Sequence, residues 1–346
     1  MAKLRSRRTV LALALLAALA GSQRAAADDA TTAGLHKTLA IAEARTGRLS
    51  PQLLPLLDRL AGAQFDDGAL ADAAESRRRA LRIALAAYGP GSLDVAQAMV
   101  ALAELRVLER QYGDAEPLLI AALPVLEARL GADSPALAHP LASLARIALA
   151  QGDLAAAESW ARRAAALAAR RPAAESGEAL RVLAAICAEE RRFDEGERLL
   201  RAALDRDRRS GPASLGAARS LAGLGALLLR AGRLAEALPA VEQAIAIDQQ
   251  RLAPAHPLIA DDFADLGLIY AGLGRDVDAA AVLGYAVELL NRGRAHDTSR
   301  LAYAELELAP VLRRLGEGDA AQAFFKDAKR ILDAVADDDR QRERRI

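Results

Sequence analysis

Apolar and polar positions along this chain repeat on two scales. On the short scale, apolar residues stand three, four and seven apart, so they fall on one face of a helix. On the long scale a motif returns: Gly, any residue, an aromatic or Leu, two residues, then Ala. It is seen as GALADA ending at Ala73, with its relatives RQYGDA at Ala115, GDLAAA at Ala157, RRFDEG at Gly196, GRLAEA at Ala237, GRDVDA at Ala279 and GEGDAA at Ala321. The steps between these anchors are 42, 42, 39, 41, 42 and 42 residues. A period this regular over most of a chain is the signature of a solenoid.

Each anchor has companions at fixed offsets. Seven residues later stand Ala80, Ala122, Ala164, Ala203, Ala244, Ala286 and Ala328. Thirteen residues earlier stand Leu60, Leu102, Leu144, Leu183, Leu224, Leu266 and Leu308, each followed by Ala or Gly. Sixteen earlier is a large apolar residue (Leu57, Met99, Leu141, Leu180, Leu221, Phe263), except that the last repeat has Glu305. The offsets predict two helices per repeat. The first presents an apolar face, and the second carries small residues that let two backbones approach closely. One pair cannot cover its own apolar face, so the next pair stacks on it and a continuous core grows. Gly- and Pro-rich segments such as Gly131 to Pro135 separate the pairs. Pro117 and Pro239 fall early in second helices, where a missing N–H costs little, whereas Pro124 and Pro310 fall deeper, where proline bends a helix.

Composition agrees. Hydrophobic residues are 53 % of the chain but aromatics only 3 %, so the core is Ala and Leu, both strong helix formers. The expected fold is all-α, a right-handed α-solenoid of about seven helix pairs. Leu-x2-Leu-Ala/Gly followed by the two spaced alanines resembles the tetratricopeptide repeat. The 42-residue period and the Gly-x-x-Ser-Pro linker at Gly131 to Pro135 resemble the longer repeats of kinesin light chains. HEAT and armadillo repeats share the length but not this internal pattern. The departures are Arg77 and Ala161 where a larger apolar residue is usual, Gly196 at an anchor, and the 39-residue step. The repeats fall at about 54–95, 96–137, 138–176, 177–217, 218–259, 260–301 and 302–334. TLAIAEARTG ending at Gly47 matches the second-helix segment ending at Gly89, which predicts a lone capping helix over 32–47. Residues 336–346, densely charged, are expected to be a disordered tail.

The first 27 residues have the order of a secretory signal: Lys3, Arg5, Arg7 and Arg8, an apolar run from Thr9 to Ala20, then Ala25–Ala27. The run is too short to span a bilayer. Arg7 and Arg8 read as ordinary n-region charges, with a twin-arginine export signal through Ser6, Arg7, Arg8 and Leu11 as the alternative. Cleavage after Ala27 removes five basic residues and leaves 41 against 46 acidic ones, a net charge of −5. An exported periplasmic or extracellular protein is expected, with no membrane association after cleavage and no nucleic-acid partner.

Little in the sequence argues for chemistry. The lone Cys187 sits at helical spacing from Leu180 and Leu183 and reads as a small buried hydrophobe. His36, His139, His256 and His296 have no metal-ligand spacing. There is neither a phosphate loop nor a nucleophile elbow. No catalytic, metal or cofactor site is expected.

In the tetratricopeptide family the first helices line a concave binding face. By the repeat register, its inward positions lie 18, 15, 11 and 8 before each anchor. They include Glu104, His139, Arg146, Leu149, Arg181, Arg219 and Leu229. Many of the others are alanines, which widen the floor. Arg146, Arg181 and Arg219 stand on successive repeats with His139 beside them. Two readings are open: the arginines clasp an acidic or C-terminal peptide, or they pair with Glu178 and neighbouring acids. Groove positions hold no Lys or Asn, so the carboxylate clamp of chaperone-binding relatives is missing. Trp160 is expected to pack between repeats. The expected function is a non-enzymatic protein-interaction scaffold binding a peptide or protein segment. The alternative is an exported assembly factor that holds client chains, with an enzyme a distant third.

Overall fold

A computed structural model describes residues 32–170, 177–209, 211–292 and 298–343. Among the described residues there is no strand. Helix α1 (32–46) is followed by seven pairs: α2 (Leu54–Asp66) with α3 (Leu70–Tyr88), α4 (Leu93–Leu108) with α5 (Tyr112–Leu130), α6 (Ala138–Ala150) with α7 (Leu154–Ala168), α8 (Glu178–Glu189) with α9 (Phe193–Arg209), α10 (Leu215–Arg230) with α11 (Leu234–Arg251), α12 (Pro257–Gly272) with α13 (Asp276–Arg292), and α14 (Thr298–Arg314) with α15 (Gly318–Glu343). Each helix packs on its chain neighbours, and from α4 to α14 the first helices of adjacent pairs also touch. The first helices therefore form the inner layer of an α-solenoid.

Local sequence sets these helices. Ser92 and Ser214 accept hydrogen bonds from Val95 N–H and Ala217 N–H, capping α4 and α10. Inside each pair, the residue five before the anchor turns the chain with positive φ. Glycine holds that place at 68, 152, 232, 274 and 316, and Arg110 (φ 57°) and Arg191 (φ 60°) hold it in the other two pairs. The anchor alanines and those seven residues later are all buried. Glycine replaces alanine where the approach is closest. A Cβ on Gly196 would stand 2.4 Å from Leu227 Cδ1, and one on Gly225 would stand 2.2 Å from Val241 Cγ2. Cys187 is buried as expected. Trp160 is half-buried between the cores of adjacent repeats.

At the N-terminal end, Leu35 and Leu39 of α1 pack on Leu53, Leu57 and Leu60. Pro124 and Pro310 do not end their helices. The charged segment at the C-terminus departs from expectation: α15 continues to Glu343, where a disordered tail had been expected from residue 336. Arg, Gln and Glu are good helix formers, and acids precede arginines there at helical spacing. The proposed signal, residues 1–27, lies outside the described residues.

The period does not foretell one feature. The solenoid turns back until its ends meet. Ala253 N–H, in the α11–α12 linker, donates to the Asp66 carbonyl at the end of α2 (2.8 Å). Arg300 of α14 donates to the Leu108 carbonyl at the end of α4 (2.7 Å). Phe65 and Leu108 thereby join the core of the last three repeats.

Candidate functional site: the concave cavity

The inner layer lines a partly open cavity of about 600 Å³. Its floor is apolar and shallow, formed by Val182, Ala185, Ala188, Ala226 and Leu227 among others. At the position eleven before the anchor, Ala185 and Ala226 stand where neighbouring repeats carry Glu104, Arg146 and Leu268. Two truncated side chains in succession open the floor. The opposite rim comes from far along the chain: Phe65 and Leu108 face Leu215 and Leu258.

One wall is a ladder of ion pairs that crosses the repeat boundaries. His139 Nδ1 on α6 lies 3.2 Å from Glu104 of α4 and 2.9 Å from Glu178 of α8. Arg146 of α6 pairs with the same Glu178. Arg181 of α8 reaches Asp207 of α9 (2.6 Å) and the Ser220 hydroxyl of α10 (3.2 Å). Asp207 also accepts from Ser220 Oγ (2.6 Å) and Gly177 N–H (2.7 Å). Arg219 of α10 pairs with Asp248 of α11 and, at 3.0 Å, with Asp262 of α12. Arg300 pairs with Asp261, which extends the ladder to α14.

The ladder shifts its own ionisations. The hydrogen bond and charge of Glu178 raise His139 to about 9, so it is a cation at neutral pH. Burial works to raise the Glu178 carboxyl, but Arg146 and His139 outweigh it and hold the group well below the usual carboxylate range. Burial raises Glu104, and it lifts Asp262 to about 6 despite Arg219.

Six of the seven groove residues read from the sequence line this cavity: Glu104, His139, Arg146, Leu149, Arg181 and Arg219. Leu229 does not. It is half-buried against the core of the last three repeats. The three arginines already hold carboxylates of their own chain, so of the two readings of these side chains the structure has the internal pairing. Sequence reasoning missed the acids on second helices. A signal existed: the position eleven after the anchor is Ala84, Leu126, Ala168, Leu290 or Leu332 in five repeats but Asp207 and Asp248 in the fourth and fifth. An acid in an apolar register asks for a cation across it. Phe65, Leu108 and Leu258 left no such signal, because ring closure depends on the summed superhelical pitch.

Among the described residues no group of His, Cys, Asp and Glu is arranged to hold a metal, and no helix is long and apolar enough to cross a membrane. A tetratricopeptide-repeat family profile matches residues 102–170 and 175–250. Those residues are tetratricopeptide repeats. Two solved structures, with TM-scores above 0.5, agree on the fold. A chain of the APC/C hetero-tetramer Cut9–Hcn1 is 13 % identical with a TM-score of 0.58, over 86 % of this chain and 50 % of that one. A Rap protein complexed with Competence and Sporulation Factor is 12 % identical with a TM-score of 0.53, over 90 % and 99 %. BtubC from P. vanneervenii is 20 % identical with a TM-score of 0.49, over 70 % and 92 %. No curated protein matches. Tetratricopeptide repeat proteins serve generally as protein-interaction scaffolds rather than as enzymes.

Proposed function

We propose that this protein is an exported tetratricopeptide repeat scaffold that binds a short, largely apolar peptide segment in its concave cavity. The observation that carries this reading is the truncated floor at Ala185 and Ala226, which leaves about 600 Å³ open beside a wall of fixed charges. That volume lies within the range of sites that enclose small ligands and short segments. The arginines favour polar backbone groups of such a segment over a carboxylate, because each already holds a carboxylate. The Rap protein was solved in complex with a factor, a precedent for a ligand on this fold. Export rests on the sequence of residues 1–27 alone.

The test is selection from a random peptide library on purified protein, beside Ala185→Trp and Ala226→Trp. The expected result is an apolar consensus whose binding falls at least tenfold in both variants, while helicity and Tm hold. Equal binding by all three proteins would move the site away from the cavity. A consensus rich in Asp or Glu would restore the acidic-segment reading. Peptidase signal cleavage after Ala27, read by mass spectrometry of the envelope fraction, tests export.

A further inference from the structure

The cavity has no rim of its own repeats on one side. That side is made by chain ends that meet. Four contacts, all between residues far apart in sequence, hold it. Ala253 N–H donates to the Asp66 carbonyl at 2.8 Å. The His256 ring meets Phe65 edge-on, with centroids 5.0 Å apart. Arg300, only 7 % exposed, donates to the Leu108 carbonyl at 2.7 Å and pairs with Asp261. The Arg110 guanidinium lies 5.9 Å above the Tyr303 ring.

Fit at this junction is close. A Cβ on Gly68 would come within 3.2 Å of His256 Cα, so the two segments touch backbone to backbone. The junction is also small. It joins two turns, Asp66–Gly68 and Leu108–Arg110, to the α11–α12 linker and the start of α14. Inside the solenoid, by contrast, every helix is held along its length by its neighbours. Stability in a solenoid accrues between neighbours, so the junction can part without unfolding any repeat. Phe65, Leu108 and Leu258 line the cavity and belong to the junction at once. Parting it would widen the cavity by the displacement of those three side chains.

We propose that this junction is a clasp that gates the partly open cavity: the solenoid is a ring, closed by the 66–253 and 108–300 contacts, and the cavity exchanges its contents faster when the ring opens. The proposal rests on the reading of the cavity as a binding site, but the clasp itself is measurable without any ligand. In hydrogen exchange the Ala253 amide reports closure, since its acceptor lies in the first repeat. Arg300→Ala removes the strut that ties α14 to α4. It should raise exchange at Ala253 at least tenfold and increase the radius of gyration in solution scattering, with helicity unchanged. A reversible lock gives the converse. In a Cys187→Ser background, Arg110→Cys and Tyr303→Cys are bridged by a short bismaleimide with a cleavable disulfide. Neither position lines the cavity.

The probe for exchange is 8-anilinonaphthalene-1-sulfonate, an anionic amphiphilic dye that brightens in apolar pockets. The locked ring should take it up at least tenfold more slowly than the same protein after the bridge is cleaved. Three results would overturn the gate. One is a wild-type Ala253 amide that exchanges like an exposed loop. Another is equal dye uptake by locked and cleaved rings. The third is no uptake even by Arg300→Ala. None of these bears on whether the peptide selection succeeds. Failure of that selection with a protected Ala253 amide and gated dye uptake would leave the clasp standing and remove the peptide reading alone.

Discussion

At the residue scale, single positions break the repeat's own rules, and each break has a measurable cost. Arg191 takes φ 60° at a turn where five other repeats use glycine. A side chain in this region costs about 1 kcal/mol or more, partly offset by the freedom glycine gains in the unfolded chain. Arg191→Gly should therefore stabilise the protein by roughly 0.5–1 kcal/mol. Urea denaturation of the variant beside wild type checks this, and a loss of stability would show that the Arg191 side chain contributes more than its backbone strain costs. Glu305 breaks a different rule. It stands where other repeats have a large apolar residue, is 3 % exposed, and leaves Oε2 without a partner. Burial, with the nearby Asp327 charge, lifts its carboxyl to about 7. A carboxyl raised on folding stabilises the fold only while it keeps its proton. That contribution is complete below the ordinary value of 4.5 and is lost as pH rises through 7. Glu305→Gln carries no such titration. It should match wild type near pH 5 and exceed it at pH 8 by about 2–3 kcal/mol. Parallel stability curves for the two proteins across that range would show that Glu305 ionises freely in the fold.

At the scale of elements, the helices were legible because one register repeats seven times, and each offset states a packing duty. The inward faces were legible for the same reason, which is why six groove residues came together. Their charge partners were not legible, because pairing across a repeat boundary joins registers that a single repeat does not contain. The ladder therefore carries its own prediction. Asp207 is 3 % exposed and serves Arg181, Ser220 and the Gly177 amide. Asp207→Ala strands a buried cation and should cost about 3–5 kcal/mol, whereas Arg181→Met with Asp207→Leu should cost far less. A double variant as unstable as the single one would mean that the acid acts through the α7–α8 linker rather than through the ion pair. The clasp has its own titration. His256 is fully buried, and its Nδ1 accepts from Leu258 N–H at 3.1 Å. Burial, together with the Arg219 and Arg300 charges, pushes it down to about 3. A histidine lowered on folding stabilises the closed form above 6.5 and loses that contribution as pH falls toward 3. His256→Asn keeps an N-cap acceptor without the proton. The stability gap between wild type and His256→Asn should close or reverse by about 3 kcal/mol between pH 7 and pH 4. A gap that does not change with pH would mean that protonated His256 finds an acceptor in the fold.

For the whole molecule, the sequence tells the number of repeats but not where the superhelix ends, since closure sums small rotations over the entire chain. It also says little about where the solenoid is weakest. The structure does. Its largest continuous core runs through α11 to α14, and the closing residues Phe65 and Leu108 join it. Around α8 and α9, in the repeat with the 39-residue step, the core divides into small clusters: Val182 and Ile186 pack with α6 and α7, Ala184, Ala188 and Leu200 with Leu227, and Leu204 with α10 and α11. Leu183 and Leu224, the register leucines of the fourth and fifth repeats, are only half-buried, whereas Leu60, Leu144 and Leu266 are buried. Apolar burial contributes about 25 cal/mol per Å², so a repeat with fewer large buried side chains is held mainly by its ion pairs. Those pairs cost desolvation nearly as much as they return. Local opening should therefore begin at α8 and α9, and the amides of α12 and α13 should exchange last. Hydrogen exchange resolved by peptide tests the order directly. If α8 and α9 outlast α12 and α13, the ladder rather than the apolar core sets the stability of the ring, and the Asp207→Ala variant should then reverse the ranking.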